Sequence, residues 1–291
     1  MVNIENELLK VSANELGGSL TSIYDKKKNI ELLYQPIKES WAGQDVFIFP
    51  MIARLKDSSY EINGNEYKLK NHGLIRYMLG IGHTLNDEMR IDFESNEETL
   101  KQYPFKFKAY VTYRLNDNSL IVTYHVQNLD EKDMPYMIGG HPAFKLPGVK
   151  EENQFNIDGN YIVFDKEVKL TRITQEESCS FNTGEEEYKT TSRIDLSKDM
   201  FKKINTYIFK ANDIDNVTLY KKDGSSLTLH KYDAKYLALW SSNLYGDFIA
   251  IEPWNGLPDY LDAKKDFYSK KGVEILKPQQ EYIFKYSVEI K

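Results

Sequence analysis

Glu252 stands in the string Phe248-Ile249-Ala250-Ile251-Glu252-Pro253-Trp254-Asn255-Gly256, where four apolar residues lead into a carboxylate. The apolar run reads as a buried strand. A carboxylate at its end is costly to bury unless it is paired or used. Two other segments supply imidazoles: Asn71-His72-Gly73 and Gly139-Gly140-His141-Pro142. Glycine allows unusual dihedrals and close backbone approach, while proline fixes its own φ and restricts the residue before it. Such a frame holds a side chain in one pose. One carboxylate and two imidazoles make an acid–base set, and no other segment offers a comparable one.

Each of these residues has a plainer reading. Glu252 could be a salt-bridged strand carboxylate, and His72 and His141 could stabilise turns. Arg54 and Arg76 follow apolar stretches and could simply reach solvent at strand ends. Trp254 and Trp41 are candidates to stack on a ligand ring, although core packing is the commoner use of tryptophan. The other histidines, His83, His125 and His230, lack supporting neighbours, and the last two fall in the middle of alternating stretches. His72, His141 and Glu252 could in principle form a His₂Glu metal site. There is no His-Glu-x-x-His string, so a metal is not expected. A Gly-x-Ser-x-Gly nucleophile turn and a phosphate-binding glycine loop are also absent.

The elements that must carry these residues are strands. Phe105, Phe107, Ala109, Val111 and Tyr113 alternate with more polar residues, and Leu120 to Val126 returns after Asn116-Asp117-Asn118-Ser119. That is a period-two hairpin. Further hairpins are expected around 25–29, 63–66 and 222–225, each flanked by short apolar runs. Tyr236 to Trp240 and Phe248 to Ile251 are nearly continuous apolar strands. Tyr282, Phe284, Tyr286, Val288 and Ile290 share the face of a last strand. Short helical turns are expected within 259–268, with Asp259, Asp262 or Asp266 as caps, and within 196–203. Glu185-Glu186-Glu187 after Gly184 reads as an exposed loop. No Pro- or Gly/Ser-rich linker divides the chain, so residues 1–291 are expected to form a single domain. The fold class is all-β: a large antiparallel β-sandwich with few short helices.

Composition agrees. Tyr and Phe occur 21 and 14 times, which favours strands. The net charge of −6 argues against nucleic acid as a partner. Cys179 is the only cysteine, so no intrachain disulfide can form. The first residues lack the basic and apolar stretches of a signal peptide, and no apolar run reaches the roughly 18–20 residues that span a membrane. A cytoplasmic setting without membrane partners is therefore expected.

The motifs, taken in order, resemble the aldose 1-epimerase (galactose mutarotase) family, and most closely its shorter branch of hexose-6-phosphate mutarotase-like proteins. Phe49-Pro50-Met51-Ile52-Ala53-Arg54 is similar to the family's arginine segment. Tyr60-Glu61-Ile62-Asn63-Gly64-Asn65-Glu66-Tyr67 and then His72-Gly73 follow as in the family, and Arg76 fits the branch's extra arginine. Gly140-His141-Pro142-Ala143-Phe144, Trp240, Ile251 to Gly256 and Leu276-Lys277-Pro278 complete the series.

The resemblance implies the mutarotase supersandwich fold and interconversion of the α and β anomers of a hexose or hexose phosphate. It implies Glu252 as general base, His141 as general acid, and His72, Arg54, Arg76 and Trp254 as substrate-binding residues. The proton-transfer chemistry needs no cofactor. One position departs from the family pattern. Asn205 falls where the family often has a sugar-binding aspartate, which could retune the substrate preference. The expected partner is a small-molecule aldose or aldose phosphate, and a homodimer is one arrangement the sequence leaves open. The alternatives are a non-catalytic carbohydrate-binding or sensor protein on the same fold, and a glycoside hydrolase or lyase accessory domain. Hydrolysis would want two carboxylates about the bond, and only Glu252 has a convincing setting.

Overall fold

The computed structural model describes residues 1–37, 40–147, 157–178, 180–242 and 247–291. Cys179 lies outside the described residues. The dominant element is a fifteen-stranded sheet. Along it run, in spatial order, Phe47–Ile48, Ile138–Gly140, Phe248–Asn255, Tyr236–Trp240, Thr206–Lys210 and Tyr161–Gln175. The order continues through Asn216–Tyr220, Ser226–His230, Glu281–Ile290, Ser119–Asn128, Phe107–Asn116, Glu88–Glu94 and Ile81–Leu85. Ala143–Lys145 and Asn182–Asp195 branch from this path. A four-stranded sheet begins at Val2–Glu5. All the strand pairs are antiparallel, as in a hairpin-built sandwich.

Alternation explains why these segments are strands. In Phe107–Asn116, Phe107, Ala109, Val111, Tyr113 and Leu115 are buried, while the residues between them are exposed or half-buried. Ser119–Asn128 shows the same pattern in register, with Val122 opposite Tyr113. The ends of the sheet meet across the core. Phe47, near one end of the strand order, stacks on Tyr124 near the other with ring centroids 4.1 Å apart. Tyr124 in turn packs against Tyr286 of the last strand.

Three expectations need correction. Glu185-Glu186-Glu187 do not form a loop but belong to the strand Asn182–Asp195, opposite Thr171, Arg172 and Ile173. This strand pairs on one side only, so its side chains are largely exposed and no apolar alternation marks it. Its acids instead pair with cations, as in Arg172–Glu186 at 2.6 Å. After the turn at 25–29 the strand is only Ile30–Glu31, shorter than the apolar run expected to flank that turn. There the Glu31 carboxylate accepts from the Ile23 and Leu33 N–H groups, both at 2.9 Å, in place of a backbone ladder. Finally, Glu252 lies inside a strand that continues to Asn255, all of it buried.

That continuation through Pro253 has a local cause. On one side the strand pairs continuously with Tyr236–Trp240. On the other it pairs with Gly139 opposite Trp254 and with Ala143 opposite Ala250, leaving a break around His141 and Pro142. Proline lacks an N–H and is tolerated where a ladder is interrupted. The same break turns His141 toward Glu252. Gly139 and Gly140 suit this close approach, because a Cβ on them would meet Trp254 at 2.5 Å and Tyr286 at 2.6 Å.

The helical expectations hold in outline. Lys198–Lys203 is capped by Ser197, and Phe267–Ser269 by Asp266. Asp259 does not cap a helix. Its carboxylate forms a buried ion pair with Lys270 at 2.7 Å and accepts from the Lys56 N–H at 2.9 Å, steadying the chain just after Arg54.

The His72 segment docks under Phe49 by backbone alone. Leu74 N–H donates to the Phe49 carbonyl at 2.7 Å. His72 and Gly73 both have left-handed backbones, with φ 63° and 80°. A Cβ on Gly73 would lie 2.3 Å from the Phe49 oxygen. Gly73→Ala is therefore expected to cost more than about 1 kcal/mol, read from the urea unfolding midpoint. An unchanged midpoint would contradict this account of how His72 is held.

Candidate active site

One cavity of about 330 Å³ is lined by Trp41, Arg54, His72, Arg76, His141, Asn205, Trp240, Glu252 and Trp254, with Asn71 and Gln175 among their neighbours. Every residue singled out in the sequence for a substrate role thus reaches the same hollow. Its size lies at the low end of the roughly 300–1,000 Å³ of ligand pockets. Among the described residues, no group of three His, Cys, Asp or Glu is placed to hold a metal ion.

The centre is a pair. His141 Nε2 lies 3.2 Å from Glu252 Oε2, and the Glu252 side chain is only 1% exposed. The approach is at ion-pair distance without hydrogen-bond alignment. Among the described residues Glu252 Oε2 has no hydrogen-bond partner, and neither do His141 Nδ1, Trp254 Nε1 and Gln175 Oε1. Buried polar atoms are nearly always partnered, so four such atoms around one hollow mark a place built to meet a polar ligand.

Burial governs the charge of the pair. It lifts the Glu252 carboxyl well above the usual carboxylate range, with the Asp45 charge adding to the rise and the nearby Trp254 indole opposing it. Burial also drives the His141 imidazole down to about 3, with Arg76 contributing and its own backbone opposing. Burial thus works against a separated Glu⁻/His⁺ pair, the form that ordinary carboxylate and imidazole values would give.

His72 is also neutral by design. Its Nδ1 accepts from the Ala53 backbone N–H at 3.2 Å, while the His72 backbone N–H donates to the Ala53 carbonyl at 2.8 Å. With Nδ1 occupied as acceptor, the neutral ring carries its proton on Nε2 and can donate it. Burial, then His141, Arg76 and Arg54, hold this imidazole well below its usual value. The two histidine rings stand edge to face at 5.4 Å.

Arg54 and Arg76 form no ion pair with any carboxylate among the described residues, and Arg76 only leans on the Tyr77 ring at 5.7 Å. Among the described residues Glu252 is the only carboxylate lining the cavity. The hollow thus carries cationic side chains within a chain of net charge −6.

The aromatic wall differs from the expectation. Trp254 is 2% exposed and offers little of its face. Trp41 and Trp240 stand against His141, with centroids at 5.0 and 5.4 Å, and pack edge to face on each other. Asn205 lies at the wall with its Oδ1 accepting from the Thr206 hydroxyl at 3.1 Å. Sequence reasoning did not single out Gln175, which arrives from the end of the long strand Tyr161–Gln175 with no local signal. The remaining histidines have other partners: His125 contacts Glu281 at 2.9 Å, His230 contacts Asn216, and exposed His83 lies 3.5 Å from Asp92.

Residues 1–273 match the family model described as aldose 1-epimerase. The chain is 30% identical over 283 residues to the chromosomal protein LacX of Lactococcus lactis subsp. lactis, covering 90% of this chain and 89% of that protein. Among solved structures it resembles a galactose mutarotase related enzyme from Lactobacillus acidophilus, with TM-score 0.92 and 29% identity over 100% of this chain and 97% of that one. A galactose mutarotase-like protein from Lactobacillus casei ATCC 334 gives the same TM-score of 0.92 and 29% identity, with 100% of both chains covered. A putative aldose 1-epimerase from Escherichia coli K12, at 15% identity and TM-score 0.76 over 99% of this chain and 98% of that one, shares the fold. The chain belongs to the aldose 1-epimerase family.

Proposed function

We propose that the protein is a mutarotase that interconverts the α and β anomers of a hexose carrying an anionic substituent, a hexose phosphate foremost. The observation that carries this reading is the buried His141–Glu252 contact of 3.2 Å at a cavity flanked by two arginines. The family membership and the mutarotase-like relatives support it.

Ring opening requires a proton to leave the C1 hydroxyl and another to reach the ring oxygen. The C1–ring oxygen bond then breaks and a carbonyl forms at C1. Both oxygens sit on one carbon, so the acid and the base that serve them must be neighbours. Glu252 takes the hydroxyl proton and His141 delivers one to the ring oxygen, which needs the shared proton on His141 at that moment. Substrate oxygens that hydrogen-bond the carboxylate offset its desolvation and favour that transfer. The open aldehyde rotates about C1–C2 and recloses on its other face with both roles reversed. The proton count is unchanged, and positioned acid–base groups of this kind contribute roughly 10²–10⁴-fold. His72 donates from Nε2 to a sugar oxygen. Arg54 and Arg76 hold the anion, for which guanidinium geometry suits phosphate.

The active state is the singly protonated pair. Its alkaline limb follows the higher constant, raised above the ordinary glutamate value of 4.5. Its acid limb follows the lower one, below the ordinary imidazole value of 6.5. The expected pH profile of kcat/KM is a broad bell whose acid limb lies well under 6.5. A rate that climbs continuously into the alkaline range would contradict the acid–base pair. Arg54→Gln and Arg76→Gln are each expected to raise KM for a hexose phosphate on the order of tenfold and to leave the unphosphorylated sugar nearly unaffected. Equal effects on both sugars would remove the phosphate from the proposal.

A further inference from the structure

A second hollow, of about 350 Å³, shares no lining residue with the candidate active site. Asn29, Glu31, Lys145, Lys221, Asp223 and Ser225 stand in its wall. They come from the turn at 25–29 and the strand after it, from the end of Ala143–Lys145, and from the turn that joins Asn216–Tyr220 to Ser226–His230. That last turn is held by its own backbone. Lys221 N–H donates to the Ser225 carbonyl and Gly224 N–H to the Lys221 carbonyl, both at 2.9 Å. The root of the Lys221 side chain is thereby fixed.

Lysine is almost never buried without a partner. Among the described residues Lys221, Lys231 and Lys270 are buried. Lys270 pairs with Asp259 at 2.7 Å, and Lys231 Nζ donates to the Ala234 carbonyl at 2.9 Å. Lys221 is 7% exposed, and among the described residues its ammonium makes no hydrogen bond or ion pair. Lys145, exposed at the same hollow, forms no ion pair among them either. The acceptors of the wall are engaged by their own neighbours. Glu31 accepts from the Ser22 hydroxyl at 2.5 Å and from the Ile23 and Leu33 N–H groups. Asp223 Oδ1 accepts from the N–H and the hydroxyl of Ser225 at 3.0 and 2.7 Å, and Asn29 Oδ1 accepts from the Tyr24 hydroxyl. The hollow thus presents two ammonium groups without partners, one of them buried. Burial draws the Lys221 ammonium down to about 8, with Asp223 opposing the fall and Lys145 and Lys28 adding to it. It is still charged at neutral pH, and a buried charge is costly until an opposite charge meets it.

We propose that this hollow is a second binding site, for a small phosphate ester, with Lys221 as its buried contact and Lys145 as a second cation. Two unpartnered cations suit the nearly doubly charged phosphate monoester better than a single carboxylate, and lysine binds phosphate as a point charge. A ligand of a few carbons fits the volume. The test is a titration of the full chain with glycerol 3-phosphate, and with glycerol as the uncharged control. Nuclear magnetic resonance would follow the Ser225 and Leu146 amides at this hollow and the His72 and Asn205 amides at the first. Glycerol 3-phosphate is expected to move Ser225 and Leu146 in a saturable way, and glycerol to leave them unmoved. Lys221→Met keeps an unbranched stem and removes the charge, so it should weaken that binding by at least about tenfold. Lys145→Ala alters an exposed side chain, leaves the fold intact and should weaken it several-fold. Shifts confined to His72 and Asn205, equal shifts with glycerol, or an affinity unchanged in Lys145→Ala and in Lys221→Met would each overturn the proposal.

Discussion

Everything at this site follows from burying a carboxylate and an imidazole side by side. Water would let Glu252 and His141 ionise separately. In the low dielectric beneath the cavity the separated ions are costly, so burial raises the carboxyl and lowers the imidazole. Under the proposed function, a substrate that brings a hydroxyl and a ring oxygen to the pair changes that balance. The fold therefore does not need to supply a strong acid or a strong base. It needs to hold two ordinary groups at contact distance, away from solvent, with polar atoms around the cavity that have no partner among the described residues.

The backbone meets that demand through interruptions in otherwise regular sheet. The strand that carries Glu252 is paired without a break on the Tyr236–Trp240 side. It loses its partner on the other side where His141 and Pro142 turn inward. Pro253 occupies the gap it can tolerate. His72 is set by a left-handed turn hung from the Phe49 carbonyl and by a reciprocal exchange with Ala53. In each case a site residue sits beside a position where only a small or rigid residue fits. The site is rigid because its misfit residues are locked by the sheet around them.

Much of this was legible in the sequence because alternation is a strong signal when one strand face is dry. Phe107–Asn116, Ser119–Asn128 and the final strand read directly from period two. The glycines before His141 and after His72 announced special backbone, and the order of the motifs gave the family. The rest was not legible for physical reasons. Asn182–Asp195 is an exposed strand held by pairing on one side, so Glu185-Glu186-Glu187 look like a loop. Pro253 suggests a strand end unless the gap opposite it is known. The resting charge of the Glu252–His141 pair depends on burial that no linear pattern reports.

The most direct test of the account is anomer exchange, followed by polarimetry for galactose and glucose and by exchange spectroscopy for glucose 6-phosphate. The wild-type protein would be compared with Glu252→Gln, which keeps the shape and removes the proton acceptor. The account predicts that the wild-type protein accelerates equilibration, most of all for the phosphorylated sugar. It predicts that the variant still binds that sugar but loses at least about 10²-fold in rate. Equal acceleration by the two proteins would contradict the central claim that the buried pair carries the proton.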